Sequence, residues 1–222
     1  MRISRLLMVA VLSTVVVLAS GAAQTVIPVE QFRSVELHGG GNVIVRHGTT
    51  QRVTILEGSL RYSRVRLAGG QRLVIDKCVQ ECPRNYQMQI EVITPEISAV
   101  SVSNGGTVQS RGAFPVQAAI EAGVAQGGTI DIRSIPADAV EASVDSGGRI
   151  FIHPRKTLAA TVVSGGAITY WGNARVEQSI RDGGVVAKGT PADAGKPLSE
   201  LSPPLPAIPP VAPVPPVRPL RN

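Results

Sequence analysis

The sequence predicts an all-β protein folded as a right-handed parallel β-helix, and two observations carry that prediction. Gly-Gly pairs recur through residues 98–190, with first glycines 22, 20, 18 and 18 residues apart, a period typical of stacked repeats. A β-branched residue stands three residues before and three residues after the first glycine of each pair, which favours strands over helices. These residues are Val102, Val124, Val144, Val162 and Ile180 before the pairs, and Val108, Ile130, Ile150, Ile168 and Val186 after them.

Each repeat therefore consists of a strand, a tight Gly-Gly corner and a second strand. A stack of β-hairpins is the alternative, because two-residue turns also use such pairs. Like residues recur at matching positions, so they would form ladders between the coils of a β-helix, whereas hairpins need no such match. We expect corner glycines at Gly40, Gly41, Gly105, Gly106, Gly127, Gly128, Gly147, Gly148, Gly165, Gly166, Gly183 and Gly184.

Residues 1–23 have the form of a secretory signal peptide. Arg2 and Arg5 provide a basic start, an apolar stretch follows at Leu6–Ala19, and small residues precede Gln24. The alternative is an uncleaved anchor, because the apolar run extended to Ala23 approaches the length that spans a bilayer. The small residues favour cleavage, so we expect an exported protein without a membrane span after cleavage.

The mature β domain is predicted at residues 24–190, in two parts. Residues 98–190 hold the five repeats, and residues 32–97 form an N-terminal β part. An earlier copy of the repeat surrounds Gly40, and short period-two segments at 46–96 interrupt the series. We expect an antiparallel or mixed arrangement there that covers one end of the repeats, since an open stack needs caps.

Arginines are frequent in the N-terminal part. The alternation in Arg64-Val65-Arg66-Leu67 places two guanidinium groups on one face of a strand. A solvated strand face is the simpler interpretation, and an anion-binding stripe is the functional alternative.

The two cysteines, Cys78 and Cys82, are predicted to form a disulfide, because nearby cysteines of exported proteins usually pair. A metal or redox site is the alternative, but two ligands without neighbouring histidines or carboxylates are too few for zinc.

Residues 191–222 differ in composition from the rest of the chain. They hold 11 of the 17 prolines, so we expect a disordered, Pro-rich tail with polyproline II character. A spacer is the simpler interpretation, and a ligand for a proline-recognising groove is the alternative.

No chemical motif emerges from the sequence. The three histidines, His38, His47 and His153, lie in no metal or nucleophile pattern. Asp131, Asp145 and Asp182 lie near Gly pairs, but calcium-binding β-rolls need a third glycine that these repeats lack. We therefore predict no catalytic residue, no metal and no cofactor.

The formal charge is +6, and removal of Arg2 and Arg5 leaves +4. The basic residues are scattered singly among acidic ones, which indicates weak attraction to anionic envelope polymers. An exported protein rarely meets nucleic acid, so we expect no nucleic-acid partner.

The segment from Phe32 to Arg46, the following Gln51–Ile55 and the phrase Val162–Ile168 resemble the head GIN domain family of bacterial exported proteins. The family is known under the name of autotransporter adhesins, and the resemblance extends over residues 32–188. It implies a right-handed β-helical fold and a location in the envelope, either periplasmic or at the cell surface, and it carries no catalytic residues.

These observations predict a non-enzymatic, adhesin-like binding or scaffolding module with a β-solenoid surface. Its expected partner is a cell-envelope polymer or an envelope protein. The alternatives are a carbohydrate-active β-helix enzyme, either a lyase or a hydrolase, and a structural spacer that presents the Pro-rich tail to a partner.

Overall fold

The fold is seen in a computed structural model that describes residues 24–69 and 71–201. The predicted signal peptide at 1–23, and residues 202–222 of the predicted tail, lie outside these described residues. The described chain forms fifteen strands and two 3-10 helices. The strands are β1 Thr25–Ile27, β2 Ser34–His38, β3 Asn42–His47, β4 Arg52–Glu57, β5 Arg64–Ala68, β6 Arg72–Asp76, β7 Gln89–Thr94, β8 Ala99–Ser103, β9 Thr107–Arg111, β10 Gln117–Ala125, β11 Thr129–Asp145, β12 Arg149–Val162, β13 Ala167–Tyr170, β14 Arg175–Ile180 and β15 Val185–Lys188; the helices are Pro191–Asp193 and Leu198–Glu200.

All fifteen strands join one mixed sheet. Its main path runs β1-β4-β7-β3-β9-β11-β10-β8-β2-β6-β5, and β12 extends it by pairing with β11, β13 and β14. The last strand, β15, pairs with β13. Strand β11 occupies the middle of the path because its beginning pairs with β9 and its end with β10.

The predicted right-handed parallel β-helix is therefore wrong. The pairs β1–β4, β4–β7 and β5–β6 are antiparallel, and they belong to the same sheet as the parallel strands. The cause lies in residues 46–96, where β4 runs back along β7 and β5 runs back along β6. The Gly-Gly repeats indicate which later strands are neighbours, but they carry no information about how these inserted segments pair.

The predicted ladders of like residues are confirmed. Val124 pairs with Val102 on one side and with Val144 on the other, and Ile150 pairs with Ile130 and Ile168. The copy of the repeat near the N-terminus joins the same ladders, since Leu37 pairs with Val102 and Val43 with Val108. Parallel strands in register place equivalent side chains about 4.8 Å apart.

The main core lies on the inward side of these ladders. Ile130, Ile150 and Ile168 are 0% exposed, and the inward residues of β8 and β10 are buried in the same way. Alternation of buried and exposed positions along β7, β8 and the second halves of β11 and β12 follows the period of two expected for a sheet with one solvated face.

Strands β11 and β12 are unusually long, at 17 and 14 residues. The spacing of the repeats predicts two short strands in each case. A register shift between Asp131 and Pro136 lets one continuous strand change direction instead, as irregularities in a ladder commonly do.

Residues 191–201, which composition assigns to the disordered tail, pack against the sheet. They contain the two 3-10 helices, and Leu201 is buried against Phe151 and Trp171. We call residues 190–201 the strap. The described part of the chain contains no helix that is long and apolar enough to cross a membrane.

Candidate binding surface

The outward side of the strands that carry the repeats forms a shallow depression, which we call the trough. It consists of two adjoining cavities of about 270 and 360 Å³ that share Glu121 and Glu141. Its floor extends across β2, β8, β10, β11, β12 and β14, and Arg72 of the neighbouring β6 lines its first end. Its outward-facing lining residues are Ser34, Glu36, Arg72, Ala99, Ser101, Ala119, Glu121, Gly123, Ala139, Glu141, Ser143, Thr157, Ala159, Arg175 and Glu177.

Small side chains form the floor of the trough. The inward positions of β8, β10 and the second halves of β11 and β12 carry apolar residues from alanine to leucine, whereas the alternate outward positions carry residues such as Ala99, Ser101, Gly123 and Ala159. Successive residues of a strand point to opposite faces. The repeat therefore places core residues on the inward face and short side chains on the outward face, where they form the depression.

Charged residues lie at the centre and at both ends of the trough. Glu121 and Glu141 are directly paired in the sheet, so two like charges occupy neighbouring strands near the centre, an arrangement that costs stability. At one end, Arg72 Nε lies 3.0 Å from Glu36 Oε2, and at the other, Arg175 Nη2 lies 3.8 Å from Glu177 Oε1.

A network of hydrogen bonds and ion pairs around His38 holds Glu36 at the Arg72 end of the trough. The His38 ring places Nε2 at 2.8 Å from Glu36 Oε1 and Nδ1 at 2.9 Å from Asp76 Oδ1. Arg66 Nε lies 3.4 Å from Asp76 Oδ2. Arg66 thus belongs to an internal ion-pair network, which favours the solvated strand face over the anion-binding stripe.

The other two histidines lie elsewhere. The ring of His47 meets Phe114 edge-on, with centroids 5.5 Å apart, and His153 lies beside Gly172. Asp131 is engaged by Arg133. In residues 24–69 and 71–201 no group of three histidine, cysteine, aspartate or glutamate residues could hold a metal ion.

The Gly-Gly pairs occupy the corners between successive strands, and all of them have positive φ. The preceding polar residue shares this left-handed conformation in four of the five later corners, at Asn104, Gln126, Ser146 and Asp182. Asparagine and aspartate tolerate that conformation better than most residues. Gln126 and Ser146 adopt the same left-handed conformation, and the two glycines that follow each of them also have positive φ.

Cys78 and Cys82 are joined by a disulfide in the structure, with Cα atoms 5.6 Å apart. Cys78 has a φ of +60°. The short loop that they close follows β6, outside the trough.

Sequence analysis missed a second constellation, in which Arg133 holds the strap on the outer face of β11–β13. Its Nε and Nη2 donate to the two carboxylate oxygens of Asp131, both at 2.8 Å. Nη1 donates to the carbonyl oxygen of Asp193 at 2.8 Å, and Nη2 to that of Lys196 at 2.9 Å. The planar guanidinium group can bind the Asp131 carboxylate and the carbonyl groups of the strap together, because its five N–H donors point in different directions within one plane.

Aromatic residues complete the contact with the strap. The guanidinium carbon of Arg133 lies 5.0 Å from the centre of the Trp171 ring and 5.6 Å from that of Phe151. Trp171 Nε1 donates to the carbonyl oxygen of Thr190 at 2.8 Å. The lone tryptophan and Leu201 just before the prolines are the sequence signals that could have indicated this docking.

Asp193 adds an electrostatic contribution within the strap. Side-chain hydrogen bonds, chiefly from Lys196 and then from Thr190, hold the pKa of Asp193 below its ordinary value. A lowered pKa in the folded state stabilises the fold above the ordinary pKa of an aspartate, and this contribution is lost as the pH falls through the lowered value.

Replacing Arg133 with lysine is expected to release the strap without unfolding the domain. Lysine keeps the charge but loses the fork that engages Asp131 and the strap carbonyls together. Amide hydrogen exchange in residues 190–201 should accelerate, and Trp171 emission should shift to longer wavelength. Arg155→Lys, in the exposed ion pair with Asp138, is the matched control. Unchanged exchange in the Arg133 variant would show that the strap is held by other contacts.

Residues 116–174 match the family described as "Putative auto-transporter adhesin, head GIN domain". The resemblance noted in the sequence is thereby confirmed over this segment, which contains β11, β12 and β13. No curated protein matches the sequence.

Several solved structures are similar to this chain. A "putative adhesin" from Bacteroides fragilis is 19% identical, covers 75% of this chain and 95% of its own, and has a TM-score of 0.43. A "putative cell adhesion protein" from Clostridium sporogenes is 12% identical, with coverages of 75% and 98% and a TM-score of 0.42. A "Putative lipid binding protein" from Parabacteroides distasonis is 16% identical, with coverages of 76% and 96% and a TM-score of 0.30. All three TM-scores lie below 0.5, so these likenesses decide neither the fold nor the function of this chain.

Proposed function

We propose that this chain, whose residues 116–174 belong to the head GIN domain family, is an exported, non-enzymatic binding module of the bacterial envelope. Its partner is an extended envelope polymer, and its binding surface is the trough. The apolar stretch at Leu6–Ala19 supports export, as does the pairing of Cys78 with Cys82, which we propose for the mature protein. The adhesin name of the family supports a role in binding.

The observation that carries the proposal is the shape of the trough. Its floor crosses six neighbouring strands, and five steps of about 4.8 Å make it roughly 24 Å long. Small side chains leave room for an extended chain to lie flat. Hydroxyl groups of Ser101 and Ser143, with the carboxylates of Glu121 and Glu141 in the neighbouring row, offer hydrogen bonds to the hydroxyl-rich chain of a glycan.

One observation favours the alternative of a carbohydrate-active enzyme. Glu121, Glu141 and Glu177 line the same cavity, and glycosidases use pairs of carboxylates. However, all three are exposed, whereas a catalytic acid depends on burial to keep its proton. Release of reducing ends from envelope glycan by the wild-type protein, and its loss in Glu121→Gln, would establish the enzyme instead.

Filling the trough is expected to abolish binding. The mature chain 24–222 would be co-sedimented with peptidoglycan and, separately, with outer-membrane vesicles at low and moderate salt. Ser143→Tyr places a ring on the exposed floor and should raise the Kd at least about tenfold, since a lost binding contact of about 1.4 kcal/mol has that effect. Ala113→Tyr, at an exposed position outside the trough, is the matched control and should bind normally.

A form that ends at Leu201 distinguishes the trough from the predicted tail. Binding that survives this truncation and is lost in Ser143→Tyr supports the proposal. Binding that disappears with residues 202–222 would favour the spacer that presents the tail to a partner. Equal binding by Ser143→Tyr and the wild type would overturn the trough as the binding surface.

A further inference from the structure

The last two strands of the sheet have a neighbour on one side only. In the described chain β14 pairs with β12 alone, and β15 pairs with β13 alone. The inward row of β14 is correspondingly uncovered. Ile180 is 42% exposed, whereas its neighbour in the ladder, Val162, is 0% exposed.

The free side of β14 presents unpaired backbone groups. The N–H of Arg181 donates to the carbonyl oxygen of Val162 at 2.8 Å, so the odd-numbered residues of this strand direct their backbone groups toward β12. Because these directions alternate along a strand, Val176, Gln178 and Ile180 direct their N–H and C=O groups to the free side.

Among residues 24–69 and 71–201, no other strand pairs with this edge. The strap lies on the outer face of β11–β13, where Arg133 and Trp171 hold it. The sequence that follows places prolines at both odd and even positions, as in Pro203-Pro204, Pro209-Pro210 and Pro215-Pro216. Since proline lacks the N–H that an edge ladder needs, neither register of that segment could pair continuously with β14.

We propose that β14 pairs with β14 of a second copy of this chain, antiparallel and about a two-fold axis. With Gln178 opposite the partner's Gln178, Val176 lies opposite the partner's Ile180. Both pairs point inward, so two apolar contacts between Val176 and Ile180 flank the central glutamine pair across the interface. The three even-numbered residues then exchange about six backbone hydrogen bonds with the partner.

Charge does not select this register. Glu177 lies on the outward face, diagonal to the partner's Arg181, but Arg175 lies directly opposite that arginine, and the two-fold axis creates both contacts twice. A two-fold pairing uses the same patch on both copies and therefore closes at a dimer. Lys188 at the end of β15 disfavours further edge pairing there, as lysine does on exposed edges.

The dimer would also extend the proposed binding surface. Arg175 and Glu177 lie both on β14 and at the end of the trough, so the troughs of the two copies would meet at the interface. Two joined sites bind one long polymer more tightly than either site alone.

Sedimentation equilibrium of the mature chain 24–222, from about 1 to about 100 µM, tests the proposal. The wild type should have twice the monomer mass at the upper concentrations. Gln178→Pro removes an N–H on the free side and none that faces β12, so it should keep the fold and weaken dimerisation at least about tenfold. Gln178→Ala keeps that N–H and should remain dimeric.

A second variant tests dimerisation without introducing a proline, which could disturb β14 itself. Ile180→Lys places a charge in the uncovered row, where the monomer tolerates it because the side chain is already partly exposed. It should be monomeric with an unchanged far-UV spectrum. A monomeric wild type at about 100 µM, or Gln178→Pro and Ile180→Lys variants as dimeric as the wild type, would overturn the proposal.

Discussion

Gly148→Ala is expected to lower the stability of the domain by roughly 3–5 kcal/mol, as the sum of backbone strain and overpacking. Gly148 has a φ of +105°, which L residues rarely adopt. A Cβ there would lie 2.5 Å from Cγ1 of Val124 and 3.0 Å from the carbonyl oxygen of Gly128. Both atoms belong to the preceding repeat, whose backbone cannot move without displacing the ladder.

Gly147→Ala provides a matched control in the same corner. Gly147 has a φ of +81°, but a Cβ added to it meets nothing within 4 Å. Its replacement should therefore cost only about 1–2 kcal/mol, from the left-handed backbone alone. Thermal unfolding of the two variants measures the difference, because 1 kcal/mol corresponds to about 2–4 °C in a domain of this size. Equal losses of stability would show that the corners do not stack as closely as the structure indicates.

The asymmetry within each Gly pair illustrates what the sequence could and could not reveal. The recurrence of the pairs predicts tight corners, and the β-branched residues around them predict which positions share a ladder. Which glycine of a pair faces the preceding repeat depends on the direction in which the chain advances from corner to corner. That direction is a property of the assembled sheet, so the pattern itself does not contain it.

The same limit explains the wrong fold class. Val124 and Ile150 recur at fixed offsets from their Gly pairs, so their neighbours could be predicted. Strands β4 and β5 belong to no repeat, and their alternating residues fit parallel and antiparallel partners equally well. The mixed sheet therefore became visible only when the partners β7 and β6 were known.

The candidate surfaces were predictable to different degrees. The trough follows from alternation, because small residues such as Ser101 and Gly123 occupy outward positions in strands whose inward residues include Val102 and Val124. The contact between Arg133 and the strap was not predictable, because its partners lie about 60 residues further along the chain and offer backbone carbonyl groups. A carbonyl group is present at every residue, so it leaves no pattern in the sequence.

Ile150→Asp is expected to prevent folding or to lower the melting temperature by more than about 15 °C. Ile150 is 0% exposed and lies between Ile130 and Ile168 in the inward ladder. A carboxylate at this position would lose its water and find no partner, a penalty of several kcal/mol. Such a penalty is comparable with the whole stability of a typical domain, about 5–15 kcal/mol.

Thr161→Asp is the control, because Thr161 lies in the same strand, β12, but faces outward, is exposed and pairs with Ser143 and Ser179, so that no carboxylate lies directly opposite. Its replacement should cost no more than about 1 kcal/mol, the span of strand propensities. Ile150→Val should cost about 0.5–1.5 kcal/mol, since it removes one methylene from the ladder. In thermal unfolding, Thr161→Asp and Ile150→Val should therefore both be far more stable than Ile150→Asp. If Ile150→Asp melted like the wild type, this ladder would not face the core, and the pairing of the repeats would have to be reassigned.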